Sequence, residues 1–252
     1  MKKNSKKNHI FGLIGKEIGY SFSKNYFMDK FKRESITQVS YEIFDIQKIE
    51  DVLWVFKNPY LKGCNITIPY KKSIIYFLTE LTPEAKSIGS VNVVKINEDG
   101  HRIGYNTDII GFELSFKKDI NKLPKNPKAL IFGTGGVSMS VSFILNKLGI
   151  YYKNVSRRKN KDFLGYEEID RDLLEEYKIL INCTPVGTYP RINLSIPLPY
   201  QYLSSNHYLY DLVYNPSKTL FLKKGEERGA MIRNGLEMFR IQAEESWKIW
   251  NY

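Results

Sequence analysis

Residues 129–149 read ALIFGTGGVSMSVSFILNKLG. The run ALIF suits a short strand buried on both faces, and the apolar spacing of VSMSVSFILNKL suits a helix. Gly133, Gly135 and Gly136 fall in the turn between them. Glycines there permit a tight turn and a close backbone approach, and the free N–H groups of the following helix favour a pyrophosphate. Ser138 stands where the usual fingerprint has its third glycine, so a plain strand-to-helix turn stays open on this stretch alone.

The next strand narrows the choice. Folds that prefer NAD place an acidic residue about 20 positions on, to hold the ribose 2'-hydroxyl. Here that place is Ser156, followed by Arg157, Arg158, Lys159 and Lys161. This basic turn suits a 2'-phosphate; the alternative is a solvated basic surface.

Working outward, short apolar runs alternate with amphipathic segments along the chain: IFGLIG, a helix from about Lys24, YEIFD, a helix over IQKIEDVLWVF, GCNITI, and a helix over KKSIIYFL. That alternation predicts an α/β fold with crossover helices. VNVVKI and HRIGYN around Asp99 and Gly100 predict a hairpin, and a helix is expected over 107–120. After the proline-bearing NKLPKNPK the pattern restarts, with strands at ALIFG, YYKNVS, ILINCT and LYDLV, which predicts two α/β units.

The 252 residues are 42% hydrophobic and 26% charged, which excludes disordered, fibrous and collagen-like classes. No apolar run approaches membrane-span length, and the charged start MKKNSKKNH leads into only a short strand-like IFGLI, so no export signal is read. Cys64 and Cys183 form no disulfide or metal spacing, which points to a reducing cytoplasm and to no metal site. The net charge of +11 comes from lysines scattered along the chain, and no nucleic-acid module is recognisable.

Other polar residues stand out against apolar surroundings. In GCNITIPYKK, Thr67 ends a strand-like run and Lys71 is expected at the start of a helix, where a cation opposes the macrodipole and must serve something else. In YNTDIIGFE, Asp108 opens a helix, as a ligand contact or as a cap shared with Thr107. Asn92 interrupts an apolar strand, as a buried hydrogen-bond hub or a ligand contact. Ser21 and Ser23 follow the first strand and either face a ligand or cap the next helix.

With these segments in order, the chain resembles the shikimate dehydrogenases, NADP-dependent enzymes of the aromatic amino-acid pathway. The motifs that carry the resemblance are SFS at 21–23, GCNITIPYK at 63–71, IGSVN at 88–92, NTDIIGF at 106–112 and GTGGVS at 133–138. They continue with SRR at 156–158, NCTPVGT at 182–188, DLVYNP at 211–216 and NGLEMFRIQA at 234–243. Tyr20 and Lys24, which flank the paired serines, depart from the family's usual pattern. The resemblance implies a substrate-binding α/β domain from residues 1–107 and 236–252, and a Rossmann-like NADP-binding domain with a parallel sheet from 108–235.

It further implies reversible reduction of 3-dehydroshikimate to shikimate, with Lys71 and Asp108 as the catalytic pair. Ser21, Ser23 and Tyr214 would address the substrate carboxylate, and Thr67, Asn92 and Gln242 its hydroxyls. The cofactor would meet Gly133, Thr134, Gly135, Gly136 and Val137, the basic turn at Ser156, Arg157, Arg158 and Lys161, and Leu212 and Gly235 near the nicotinamide. The expected partner is the small-molecule substrate, with no nucleic acid and no membrane, for a monomer or homodimer. A quinate dehydrogenase of the same superfamily and a non-enzymatic basic binding protein on a degenerate dinucleotide fold are the alternatives.

Overall fold

The computed structural model describes residues 9–19, 21–123 and 125–251. The basic start of the chain, Tyr20, the linker residue Pro124 and Tyr252 lie outside the described residues. Contacts divide the chain into two compact units, Met1–Thr107 with Ala243–Tyr252, and Asp108–Gln242.

The first unit begins with strand β1 (His9–Gly15), helix α1 (Ser23–Arg33), strand β2 (Val39–Asp45), helix α2 (Val52–Phe56) and strand β3 (Leu61–Ile66). Strand β4 (Glu80–Leu81), helix α3 (Pro83–Ile88), and strands β5 (Val93–Ile96) and β6 (Arg102–Tyr105) complete its sheet. The strand order is β2-β1-β3-β5-β6-β4, with β1 parallel to both β2 and β3, and β5 antiparallel to β3 and β6. The expected hairpin at Asp99 and Gly100 is β5–β6. Residues of β1 sort by parity: Phe11 and Leu13 join a core with Phe27, Tyr41 and Trp250, whereas Ile14 joins Val52, Ile66 and Ile74 on the other face. Trp250 donates its indole N–H to the Val94 carbonyl at 3.1 Å, and stacks on Phe11 with ring centroids 4.8 Å apart. A Cβ at Gly63 would overlap that indole, so glycine is required there.

The second unit comprises helix α4 (Asp108–Ile120), strand β7 (Ala129–Phe132), helix α5 (Gly136–Lys147), strands β8 (Tyr152–Ser156) and β9 (Phe163–Gly165), helix α6 (Arg171–Glu176) and strand β10 (Ile179–Asn182). Strand β11 (Tyr208–Asp211), helix α7 (Leu220–Glu226) and strand β12 (Met231–Asn234) follow, with the start of helix α8 (Leu236–Asn251), which belongs to the first unit from Ala243 on. Its sheet is all parallel in the order β12-β11-β10-β7-β8-β9. ALIF, ILIN and YLYD are buried along their whole length, as a sheet covered on both faces requires. The order reverses between β7 and β10, the switch point at which doubly wound sheets bind their ligands.

Two expectations change. Lys71 does not begin an α-helix: Ser73–Phe77 form a single 3-10 segment, and Leu78 is already extended toward β4. The stretch IQKIEDVLWVF likewise yields a 3-10 turn at Ile49–Asp51 and only five α-helical residues. The contact division between the units falls inside α8, between Gln242 and Ala243. The reason is close packing: an added Cβ on Gly111 of α4 would stand 2.7 Å from the Met238 carbonyl oxygen, so α4 and the start of α8 touch backbone to backbone.

Candidate functional site

In the first unit, the sheet end where β1 and β3 finish gathers several of the polar residues singled out above. The Thr67 N–H donates to the Ile14 carbonyl at 2.9 Å, the Ile66 N–H to the Asn92 carbonyl at 2.8 Å, and the Val91 N–H to the Lys71 carbonyl at 2.8 Å. Thr67, Lys71 and Asn92 are thereby backbone neighbours, although 25 positions separate the first from the last in sequence (92 minus 67). Asn92 is 2% exposed; its Oδ1 accepts from the Thr107 N–H at 2.7 Å, and its Nδ2 donates to Thr107 Oγ1 at 3.0 Å. Both readings of Asn92 left open by the sequence concern polar contacts, and the hub is realised. Thr107 is followed directly by Asp108, the buried first residue of α4.

The segment leaving β1 is fixed from below by Asp45, whose carboxylate accepts from the Glu17 and Ile18 N–H groups at 2.9 and 3.2 Å. Ser21 Oγ then accepts from the Ser23 N–H at 3.3 Å at the first turn of α1, so one serine does take part in starting that helix. Lys24 pairs with Glu42 at 2.9 Å on a half-exposed surface. Since only a five-residue 3-10 segment follows Lys71, the helix-dipole argument for its charge falls away. Its place beside Asn92 is what marks it.

In the second unit, the glycine turn follows β7 at the switch point. Gly133 has φ +110°, and an added Cβ would press on Thr184 Cγ2 at 3.0 Å; only glycine passes here without strain. Gly135 caps α5 in an extended conformation with open space where a Cβ would be, which fits a phosphate cradle. Ser138 is buried and donates its hydroxyl to the Gly135 carbonyl at 2.6 Å, so a serine is accommodated at the third fingerprint position.

The basic turn opens at the end of β8, with Arg157, Arg158 and Lys161 exposed and Ser156 Oγ accepting from the Arg158 N–H at 3.3 Å. Lys159 is engaged otherwise: it pairs with Glu168 at 2.7 Å. Lys159, and next the Gly165 N–H, hold the Glu168 carboxyl below its ordinary range, so this acid is neutralised within the protein. The remaining cations fit the 2'-phosphate of NADP. Further along, a Cβ on Gly235 would overlap the Leu212 carbonyl oxygen, so these two residues are in backbone contact, and Tyr214 packs on Phe239 with centroids 4.8 Å apart. Gln242 donates to the Phe239 carbonyl at 3.0 Å.

Sequence reasoning missed Asp211, which is fully buried at the end of β11. Its Oδ1 accepts from Asn182 Nδ2 at 2.9 Å and from the Val213 N–H at 3.0 Å, and its Oδ2 from Thr219 Oγ1 at 2.5 Å. Burial pushes its carboxyl from 3.8 up to about 7, against these three hydrogen bonds. It ties together the loops after β10 and β11, the second of which carries Leu212 and Tyr214. The same signal that singled out Asn92, a polar residue in an apolar strand, is present in ILIN and YLYD and would have found both Asn182 and Asp211. Among the described residues there is no cluster of three or more metal-ligating side chains, and no helix is long and apolar enough to cross a membrane.

Comparison with known proteins places these observations in a family. Residues 13–94 match the shikimate dehydrogenase substrate binding domain. The NADP(+) shikimate dehydrogenase of Clostridium botulinum (strain Hall) is 36% identical over 249 residues, covering 95% of this chain and 95% of the relative. The crystal structure of shikimate dehydrogenase 1 from Peptoclostridium difficile superposes with a TM-score of 0.84 at 35% identity, covering 96% of this chain and 91% of that one. That of the Thermus thermophilus enzyme, in complex with NADP(H) and shikimate, gives 0.81 at 26% identity over 96% and 93%. A likeness that spans both units at this identity settles the matter: the chain belongs to the shikimate dehydrogenase family.

Proposed function

We propose that in this chain's NADPH-dependent interconversion of 3-dehydroshikimate and shikimate, Lys71 and Asp108 are the catalytic pair. The observation that carries the reading is the backbone bonding of Val91 to Lys71 and of Ile66 to Asn92, which brings Thr67, Lys71 and Asn92 to one sheet end, with the Asn92 side chain bonded to Thr107, the residue preceding Asp108. NADPH, when bound, supplies the hydride, and the residues named above, Gly133 to Val137, Arg157, Arg158, Lys161, Leu212 and Gly235, would hold it. The chain's own task is to orient two ligands and manage one proton. The Lys71 ammonium stabilises negative charge developing on the ketone oxygen and gives that oxygen a proton; Asp108 orients Lys71 and a ring hydroxyl. Ser21, Ser23 and Tyr214 address the carboxylate, and Thr67, Asn92 and Gln242 the hydroxyls. A hydroxyl-rich ligand needs this many partners, because each buried polar group left unpaired costs about 1–3 kcal/mol.

Cys64 and Cys183 form no disulfide, which supports a reducing compartment, the cytoplasm. The experiment is NADPH oxidation driven by 3-dehydroshikimate, with Lys71→Ala as the matched variant. Robust turnover by the unaltered chain and loss in Lys71→Ala is the expected result; equal turnover in both would remove Lys71 from the chemistry.

A further inference from the structure

Five buried polar side chains in the first unit form one connected line. Tyr41 donates its hydroxyl to Asn65 Oδ1 at 2.8 Å, and Asn65 Nδ2 donates to Ser246 Oγ at 3.0 Å. Ser246 Oγ lies 3.4 Å from Thr107 Oγ1, which in turn accepts from Asn92 Nδ2 at 3.0 Å. All five residues are 6% exposed or less. We infer that Ser246 is a positioning residue for substrate binding, holding the Thr107 hydroxyl and through it the Asn92 amide; the inference rests on the substrate role proposed for Asn92.

The donor chemistry leaves little freedom along this line. The Thr107 N–H can only donate, so the Asn92 oxygen must face it and the Asn92 amino group must face the Thr107 hydroxyl. A flip would set nitrogen against N–H. At the far end, the Asn92 carbonyl can only accept, which directs the Asn65 amino group toward it and toward Ser246, so the Ser246 oxygen accepts and the Tyr41 hydroxyl donates to the Asn65 oxygen. Ser246 is thus the group on α8 that joins the Asn65 amide to the Thr107 hydroxyl. The helix itself gives no reason for it, since alanine is the better helix former at a buried interior position. Without the Ser246 oxygen, the Asn65 amino group loses its near partner, its other contact being the Asn92 carbonyl at 3.4 Å. The Thr107 hydroxyl then loses a neighbour and is held by its contacts with Asn92.

The test measures kcat and KM for shikimate and for NADP in the unaltered chain, Ser246→Ala, Asn92→Ala and the double variant, with thermal melting of each. Tyr41→Phe, which cuts the far end, is a second probe. Ser115→Ala is the control: it removes a fully buried hydroxyl that contacts Tyr210 at 2.6 Å in the other unit. The expected result is a rise in KM for shikimate of roughly 3- to 10-fold in Ser246→Ala, a smaller rise in Tyr41→Phe, and no change in KM for NADP or in Ser115→Ala. In the Asn92→Ala background the Ser246 effect should vanish. An unchanged shikimate KM in Ser246→Ala, or the same fold-change in both backgrounds, overturns the inference while a deficient Asn92→Ala leaves the substrate role of Asn92 standing. If Asn92→Ala itself binds shikimate normally, that role and this inference fall together.

Discussion

Replacing Asp211 with asparagine isolates one proton. Asparagine keeps an oxygen for Asn182 and for the Val213 N–H, and its amino group can face a Thr219 hydroxyl rotated to accept, so the shape and most of the bonding survive. What disappears is the titration. With the folded carboxyl raised from 3.8 to about 7 by burial, the folded chain retains a proton that the unfolded chain has lost over that interval. The stability contribution is therefore fully present below about pH 4, falls by about 1.4 kcal/mol per pH unit, and is gone above about pH 7. Between pH 5 and pH 8 the unaltered chain should lose roughly 3 kcal/mol relative to Asp211→Asn, on the order of 5–10 °C in Tm for a chain of this size. The assay is thermal unfolding of both proteins in matched buffers at pH 5, 6, 7 and 8. A Tm difference that stays constant over that range would mean that Asp211 titrates as an ordinary surface carboxylate, and the reasoning from its burial would fail.

Three further outcomes are expected. Lys71→Ala should lower kcat by roughly 10²- to 10⁴-fold, and combined with Asp108→Asn the losses should be far less than additive; full additivity would mean that the two do not act as a pair. Arg157→Ala should raise KM for NADP by about 10-fold or more and leave KM for NAD nearly unchanged, as measured by initial rates with each cofactor, because only NADP carries the 2'-phosphate. Gly235→Ala should lower the Tm and weaken NADP binding together in a calorimetric titration, since the new Cβ must displace the Leu212 carbonyl; retention of full affinity would place the cofactor away from this contact.

The nucleotide turn was legible because its glycines and basic residues sit at spacings fixed by local geometry, a strand, a turn and a helix. Thr67, Lys71 and Asn92 were visible as polar residues in apolar surroundings, but their meeting depends on Val91 pairing with Lys71 and Ile66 with Asn92, which no local window contains. Some short elements were marked and passed over. Thr82 accepts from the Ala85 N–H, Pro83 opens α3 and Gly89 closes it in the left-handed region, all of it readable start and stop chemistry. Helix α7 was hidden by its lysines and by its length, although Thr219 caps it and Gly229 follows. The length of the helix after Lys71 could not be read, since what ends it is the need to reach β4 on the far side of the sheet. Ser246 gave no signal at all: in EESWKIW it looks like one more polar helix position, and only packing of α8 against Asn65 and Thr107 reveals it.

One spectrophotometric experiment at 340 nm tests the activity and its cofactor together: shikimate and quinate, each paired with NADP and with NAD. Rapid NADPH formation from shikimate is expected, with kcat/KM at least about 10²-fold higher for NADP than for NAD from two charge-assisted contacts to the 2'-phosphate. NAD serving as well as NADP would contradict a 2'-phosphate site at the turn from Ser156 to Lys161, and no turnover of shikimate with either cofactor would contradict the dehydrogenase activity itself.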